Sequence, residues 1–205
     1  MKTNNRYLTR FLRLSIKTWL FIAASSGILF AVNSAYAEDF TATNKDEAPI
    51  AVDICEVLEN PADFDHKLIQ LSGHISQGFE QFTISKVGCV QTKSQGIWLE
   101  YGGKVGSGTT YCCGRTNAKT RTETMSIEGV EIPLVQDEKW QEFDKIIKNH
   151  KGYASFDATI VGRFFSGKET KFPTGTYWTG FGHFGFFSLL AIQKVFSIDS
   201  NMDDN

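Results

Sequence analysis

Apolar and polar residues alternate along two stretches of this chain and recur at helical spacing along two others. In the segment 68–76, Ile69, Leu71, Gly73 and Ile75 share one face, opposite Leu68, Gln70, Ser72 and His74. A period of two predicts a half-buried strand. Phe156, Ala158, Ile160, Gly162 and Phe164 mark a second such strand over 154–165. The run 187–198 (FSLLAIQKVFSI) is rich in branched and aromatic residues and predicts a third long strand. Shorter strands are expected over 79–85, after a Gln77-Gly78 turn, and over 97–101 (IWLEY). Ile50, Ile54, Val57 and Leu58 predict a helix over 49–59, with Pro49 in the first turn, where a missing N–H costs nothing. Asn60-Pro61 ends it, and the loop 60–67 anchors itself through Phe64. Trp140, Phe143, Ile146 and Ile147 predict a second helix over 137–149, with Asp137 as its N-cap.

Two glycine-rich stretches interrupt this pattern. The segment 104–124 carries Gly106, Gly108, Gly114 and the pair Cys112-Cys113, and reads as a long excursion before 127–135 returns to sheet-like patterning. The segment 173–186 (PTGTYWTGFGHFGF) reads as an aromatic loop. Five strands with a helix between the third and fourth follow the order of an oligonucleotide/oligosaccharide-binding (OB) barrel. The expected fold is therefore mainly β: a small OB-like five-stranded barrel with an N-terminal helix, an inter-strand helix and a Cys-containing insertion. An open antiparallel sheet with packed helices is the competing architecture. Gly73, in mid-strand, suits a bend or a close backbone approach.

The first 37 residues change the setting. Lys2, Arg6, Arg10, Arg13 and Lys17 precede an apolar stretch, 19–32, and then Ala35-Tyr36-Ala37. This is the order of a secretory signal peptide cut before Glu38. As a helix the stretch would reach about 21 Å, short of the roughly 30 Å hydrocarbon core, so no stable membrane span is expected after cleavage. No cysteine stands at the cleavage point to carry a lipid. The expected organisation is a signal at 1–37, a leader at 38–49, a single OB-like domain at 50–198 and an acidic tail at 199–205. Of 21 basic residues five leave with the signal, so 16 remain against 23 acidic ones, a net charge of −7. That field repels polyanions and argues against nucleic acid as a partner.

Export to the periplasm or beyond also places Cys55, Cys89, Cys112 and Cys113 in an oxidising compartment, where disulfides are expected. Adjacent Cys112 and Cys113 have Cα atoms only about 3.8 Å apart, which strains a mutual bridge. The expected links join one of them to Cys89 and the other to Cys55. His66, His74, His150 and His183 show no metal-ligand spacing, and no Walker or nucleophile-elbow motif is present, so no metal, cofactor or catalytic residue is assigned. His74 reads as an ordinary exposed residue. Ligand-binding candidates are His183, between Gly182 and the aromatic residues Phe184 and Phe186, together with Tyr177, Trp178, Phe181 and Arg163. Tyr153 is a further aromatic able to line a surface, and for Arg163 an ion pair with an acidic neighbour is favoured over a ligand contact.

The chain resembles a class of uncharacterised bacterial exported OB-like proteins. The likeness rests on Cys55-Glu56-Val57-Leu58, Asn60-Pro61, residues 67–73, Gly162-Arg163-Phe164-Phe165, Gly182-His183 and residues 187–195. It implies a small barrel facing the periplasm or cell exterior and supplies no substrate. The leading expectation is a non-enzymatic exported domain that binds an envelope protein or glycan. An envelope enzyme assembled in space around His183, and a purely structural module, are the competing expectations.

Overall fold

The computed structural model describes residues 47–90, 94–110, 120–149 and 152–199. The signal-like segment, most of the leader, the tail from 200 onward, His150, Cys112 and Cys113 lie outside the described residues. Among them the chain order is β1 (Ile50–Ala51), α1 (Ile54–Glu59), β2 (Leu68–Gly78), β3 (Gln81–Ser85), β4 (Ile97–Tyr101), β5 (Ser126–Ile127), β6 (Val130–Glu131), α2 (Glu138–Asn149), β7 (Ala154–Phe165), β8 (Lys168–Phe172), β9 (Gly175–Thr179) and β10 (Ser188–Asp199).

Five strands close on themselves in the order β2-β3-β4-β10-β7, with β7 pairing back onto β2. Neighbours are antiparallel except β4 and β10, which run parallel. With α2 between β4 and β7, this is OB topology, and closure rules out the open-sheet alternative. The β2–β7 seam runs from Leu68↔Arg163 to Gln77↔Ala154, so the alternation in each strand turns the same residues inward. Ile69, Leu71, Ile75, Phe156, Ala158 and Ile160 all join the interior cluster. Trp140, Phe143 and Ile147 of α2 join it too, and the Phe143 ring meets Phe156 at 5.2 Å between centroids. Asp137 caps α2 by accepting from Trp140 N at 2.9 Å.

Strand β4 is buried along its whole length, which explains its lack of alternation. Its inner residues Ile97, Leu99 and Tyr101 face the barrel, whereas Trp98 belongs to a second cluster with Phe165, Leu189 and Ala191. Met125, Ile127 and Ile132, from the short β5–β6 hairpin and its flanks, cover that outer face. The 104–124 excursion is pinned at its described ends by a buried carboxylate. Glu100 accepts from Ser107 N at 2.7 Å and Ser107 Oγ at 2.9 Å, and pairs with Arg121 at 3.3 Å. Burial pushes the Glu100 carboxyl up, against the pull of the Ser107 donors and Arg121.

Several local expectations are corrected. The helix begins at Ile54 rather than at 49, because Val52 N donates to Gln70 O and holds the entry extended beside β2, while Asp53 caps by accepting from Cys55 N at 2.8 Å. Ile50 is consequently exposed and not part of the buried stripe. Strand β2 runs through Gly78, and the turn to β3 is Phe79-Glu80. The segment 173–186 is not all loop, since β8 and β9 form a hairpin that includes its first half.

The disulfide also differs from expectation. Cys55 pairs with Cys89, tying α1 to the segment after β3 rather than to the insertion. A side chain at Gly73 would place Cβ 2.4 Å from Ile54 Cδ1 and 2.6 Å from Ser85 O. The missing side chain lets α1 sit directly on β2 beside the end of β3, which is where Cys89 departs.

Candidate functional site

An open groove of about 860 Å³ crosses β3 and the start of β4. Its floor carries Gln81, Thr83 and Trp98, its near wall is the Phe79-Glu80 turn, and its far wall is the turn at 182–187. The far wall exists because three glycine-assisted backbone contacts fold the chain back on itself. Gly180 N donates to Gly185 O at 2.7 Å, and Phe181 and Phe187 exchange backbone hydrogen bonds. Gln95 N donates to Phe186 O at 2.8 Å, and Ser188 N to Ser94 Oγ at 2.7 Å, so the turn is fastened to the β3–β4 connection.

Gly182 presses on the indole of Trp98: a Cβ there would lie 2.4 Å from Trp98 Cε3. Its angles, φ 66° and ψ −154°, lie in a region open essentially to glycine alone. Two residues on, Phe184 adopts φ 55° and ψ 11°, a left-handed conformation uncommon for a bulky side chain. The Phe184 ring is nonetheless 73% exposed, stacked edge-on against His183 at 4.0 Å between centroids and 6.2 Å from Phe186. Phe79 and Tyr153 are likewise exposed at the groove. A backbone held in a costly conformation to display an aromatic ring to solvent is a feature of binding surfaces more than of cores.

The groove is nearly balanced in charge. His183 Nδ1 stands 3.7 Å from Glu80 Oε2 across it, linking the two walls. Lys86, at the rim, is hydrogen-bonded to Asp53; that contact and the Cys55 N–H hold the Asp53 carboxyl below its ordinary value. Gln81, Thr83, Ser85 and Gln95 contribute neutral hydrogen-bonding groups.

Of the five residues singled out from the sequence, His183 lies in this groove. Phe181 is turned to the second cluster, where it meets Phe165 at 6.2 Å between centroids. Tyr177 and Trp178 sit on the β8–β9 hairpin; Tyr177 OH donates to Thr174 O at 3.1 Å and its ring lies 6.0 Å from Phe172. Arg163 is buried and donates to Glu47 Oε2 and His66 O, both at 2.8 Å. Sequence reasoning missed Phe79 and Glu80, which it placed inside a strand. The one available signal was topological, since the first connection of an OB barrel lies beside its binding face.

Asp53, Cys55 and Cys89 are spaced closely enough to suggest metal ligands, but the two sulfurs are bonded to each other and offer no thiolate. No helix among the described residues is long and apolar enough to cross a membrane. The OB-like barrel agrees with the fold implied by the resemblance to exported proteins, and the agreement extends to the fold alone. No protein-family model, curated protein or solved structure matches the chain.

Proposed function

We propose that the chain is a binding domain, working in the periplasm or outside the cell, whose β3–β4 groove holds an uncharged envelope glycan without catalysing its turnover. The observation that carries this reading is the position of the groove. It occupies the face and the two connections by which OB barrels take oligonucleotides and oligosaccharides. A net charge of −7 on the expected mature chain disfavours the first of these ligand classes. The mixture of exposed rings (Phe79, Tyr153, Phe184) with amide and hydroxyl side chains suits the second, whose sugar rings have an apolar face and a polar rim.

A protein segment is the second reading, and it uses the same groove. Catalysis around His183 has less support, because 3.7 Å to Glu80 is longer than the roughly 2.6–3.2 Å of a working proton relay. The test is titration of the full chain, followed by amide NMR, with neutral oligosaccharides, matched oligonucleotides and unrelated peptides. The glycan reading expects shifts confined to β3, β4, the 79–80 turn and 182–187, weakened severalfold by Tyr153→Ala. Shifts there with peptides alone would replace it with the protein reading.

A further inference from the structure

On the opposite side of the seam from the core, β2 and β7 present a row of polar side chains. Ser72 Oγ meets Thr159 Oγ1 at 2.8 Å. Beside this pair, His74 Nδ1 lies 2.9 Å from Asp157 Oδ1, and His74 Nε2 lies 2.7 Å from Ser155 Oγ. Polar residues facing across exposed strands pair routinely. What distinguishes these three is their order: a carboxylate at one ring nitrogen and a hydroxyl at the other. With the proton on Nδ1 donated to Asp157, Nε2 is an acceptor aimed at the Ser155 hydroxyl. That is the arrangement by which an imidazole activates a serine. Register produces it, because His74 stands directly opposite Asp157 while Ser155 occupies the next outward position along β7.

We infer that Ser155, His74 and Asp157 form a serine nucleophile site for uncharged acyl esters. In the step, Ser155 Oγ bonds to the ester carbonyl carbon as its proton passes to His74 Nε2. The bond to the leaving alcohol breaks, and that alcohol takes the proton. Water, deprotonated by the same nitrogen, then releases the carboxylic acid and restores Ser155, so one ester and one water give one acid and one alcohol. Ser155 and His74 are the catalytic residues, and Asp157 is a positioning residue that fixes the tautomer.

The acyl class follows from charge. Asp157 and Asp199 line the recess beside His74 against Lys86 as the cation there, so an anionic acyl group is disfavoured, although Ser155 itself does not line that recess. Tyr153, two positions before Ser155, lies at the groove rim, but the inference does not rest on the groove being occupied. The side chains of His74 and Asp157 are 46% and 63% exposed, so solvent limits the electrostatic advantage. The expected acceleration is that of a single general base, about 10²–10⁴-fold.

The experiment exposes the full chain to a fluorophosphonate probe and maps the adduct by peptide mass, with Trp fluorescence confirming folding. Labelling at Ser155 is expected, absent in Ser155→Ala, and slowed about 100-fold or more in His74→Gln. Asp157→Asn is expected to slow labelling and to move the His74 proton from Nδ1 to Nε2 in ¹⁵N spectra, a change that a merely structural role would not give. p-Nitrophenyl acetate should be cleaved faster by the native chain than by Ser155→Ala, and the monoanionic succinate ester more slowly than the acetate. A folded native chain that labels no faster than Ser155→Ala, or equal labelling in His74→Gln, overturns the inference.

Discussion

Replacing Gly182 by alanine tests how the far wall of the groove is made. The substituted residue would have to keep φ 66° and ψ −154°, at a cost of about 1–3 kcal/mol. Its Cβ would also lie 2.4 Å from Cε3 and 2.5 Å from Cδ2 of Trp98, a ring only 1% exposed and packed edge-on against Phe187. Trp98 cannot step aside without disturbing the second cluster, and overpacking of this kind costs about 1–3 kcal/mol. Partial relaxation of the turn relieves some of both, so the expected loss is about 3 kcal/mol, or a fall of about 6–12 °C in Tm. Urea unfolding followed by Trp emission measures it as a midpoint shift of about 1–2 M. Gly129→Ala is the control: its φ of 81° carries a conformational cost, but nothing stands within 4 Å of a Cβ there. If Gly182→Ala loses no more than Gly129→Ala, contact with Trp98 does not shape the wall.

Phe184→Gly relieves a left-handed bulky residue, about 1–2 kcal/mol, but gives up the edge-on contact with His183, about 0.5–1.5 kcal/mol, so stability should change by less than about 1 kcal/mol while any groove ligand is weakened. A loss above about 2 kcal/mol in denaturation would show that the ring holds the turn together rather than serving a ligand. Breaking the Cys55–Cys89 bridge by Cys89→Ser with Cys55→Ser, a link spanning 34 positions, should cost about 3–4 kcal/mol in urea melts. A loss below about 1 kcal/mol would show that α1 is held by packing alone. For Glu100 the folded carboxyl titrates above its unfolded value, so its contribution is most favourable below the unfolded pKa and declines as pH rises through the folded one. The native chain should therefore lose stability relative to Glu100→Gln as pH climbs from about 4 toward neutrality. A flat difference would remove burial as the cause.

The long strands were legible because each has one buried and one wet face, and a period of two survives that condition. Strand β4 was legible only as an apolar run, since the β5–β6 hairpin buries its second face and erases the alternation. The start of α1 was misplaced because Ile50 has helical spacing to Ile54, yet pairing with β2 holds it extended. The disulfide was out of reach for a different reason. Gly73 lets α1 settle beside the end of β3, and nothing in the spacing of Cys55 and Cys89 conveys that approach. His183 was recognisable from its glycine and aromatic neighbours, but its partner Glu80 is brought to it by barrel closure. His74 looked ordinary for the same reason, because Ser155 and Asp157 reach it only through the β2–β7 register.

That closure has a kinetic side. Strand β10 lies between β4 and β7, pairing Leu190 with Leu99 in parallel and with Phe164 in antiparallel sense. Until residues 188–199 arrive, both β4 and β7 carry a row of unpaired backbone groups, the surface on which strands of different molecules join. Of the two pairings that remove those edges, β7–β10 is comparatively local, whereas β4–β10 joins residues as far apart as Ile97 and Ser188, and contacts of that kind form slowly. A chain arrested shortly before β10 is therefore a nearly complete barrel with two sticky margins. The dangerous interval for aggregation is the last stage of its folding, when a chaperone covering either margin would matter most.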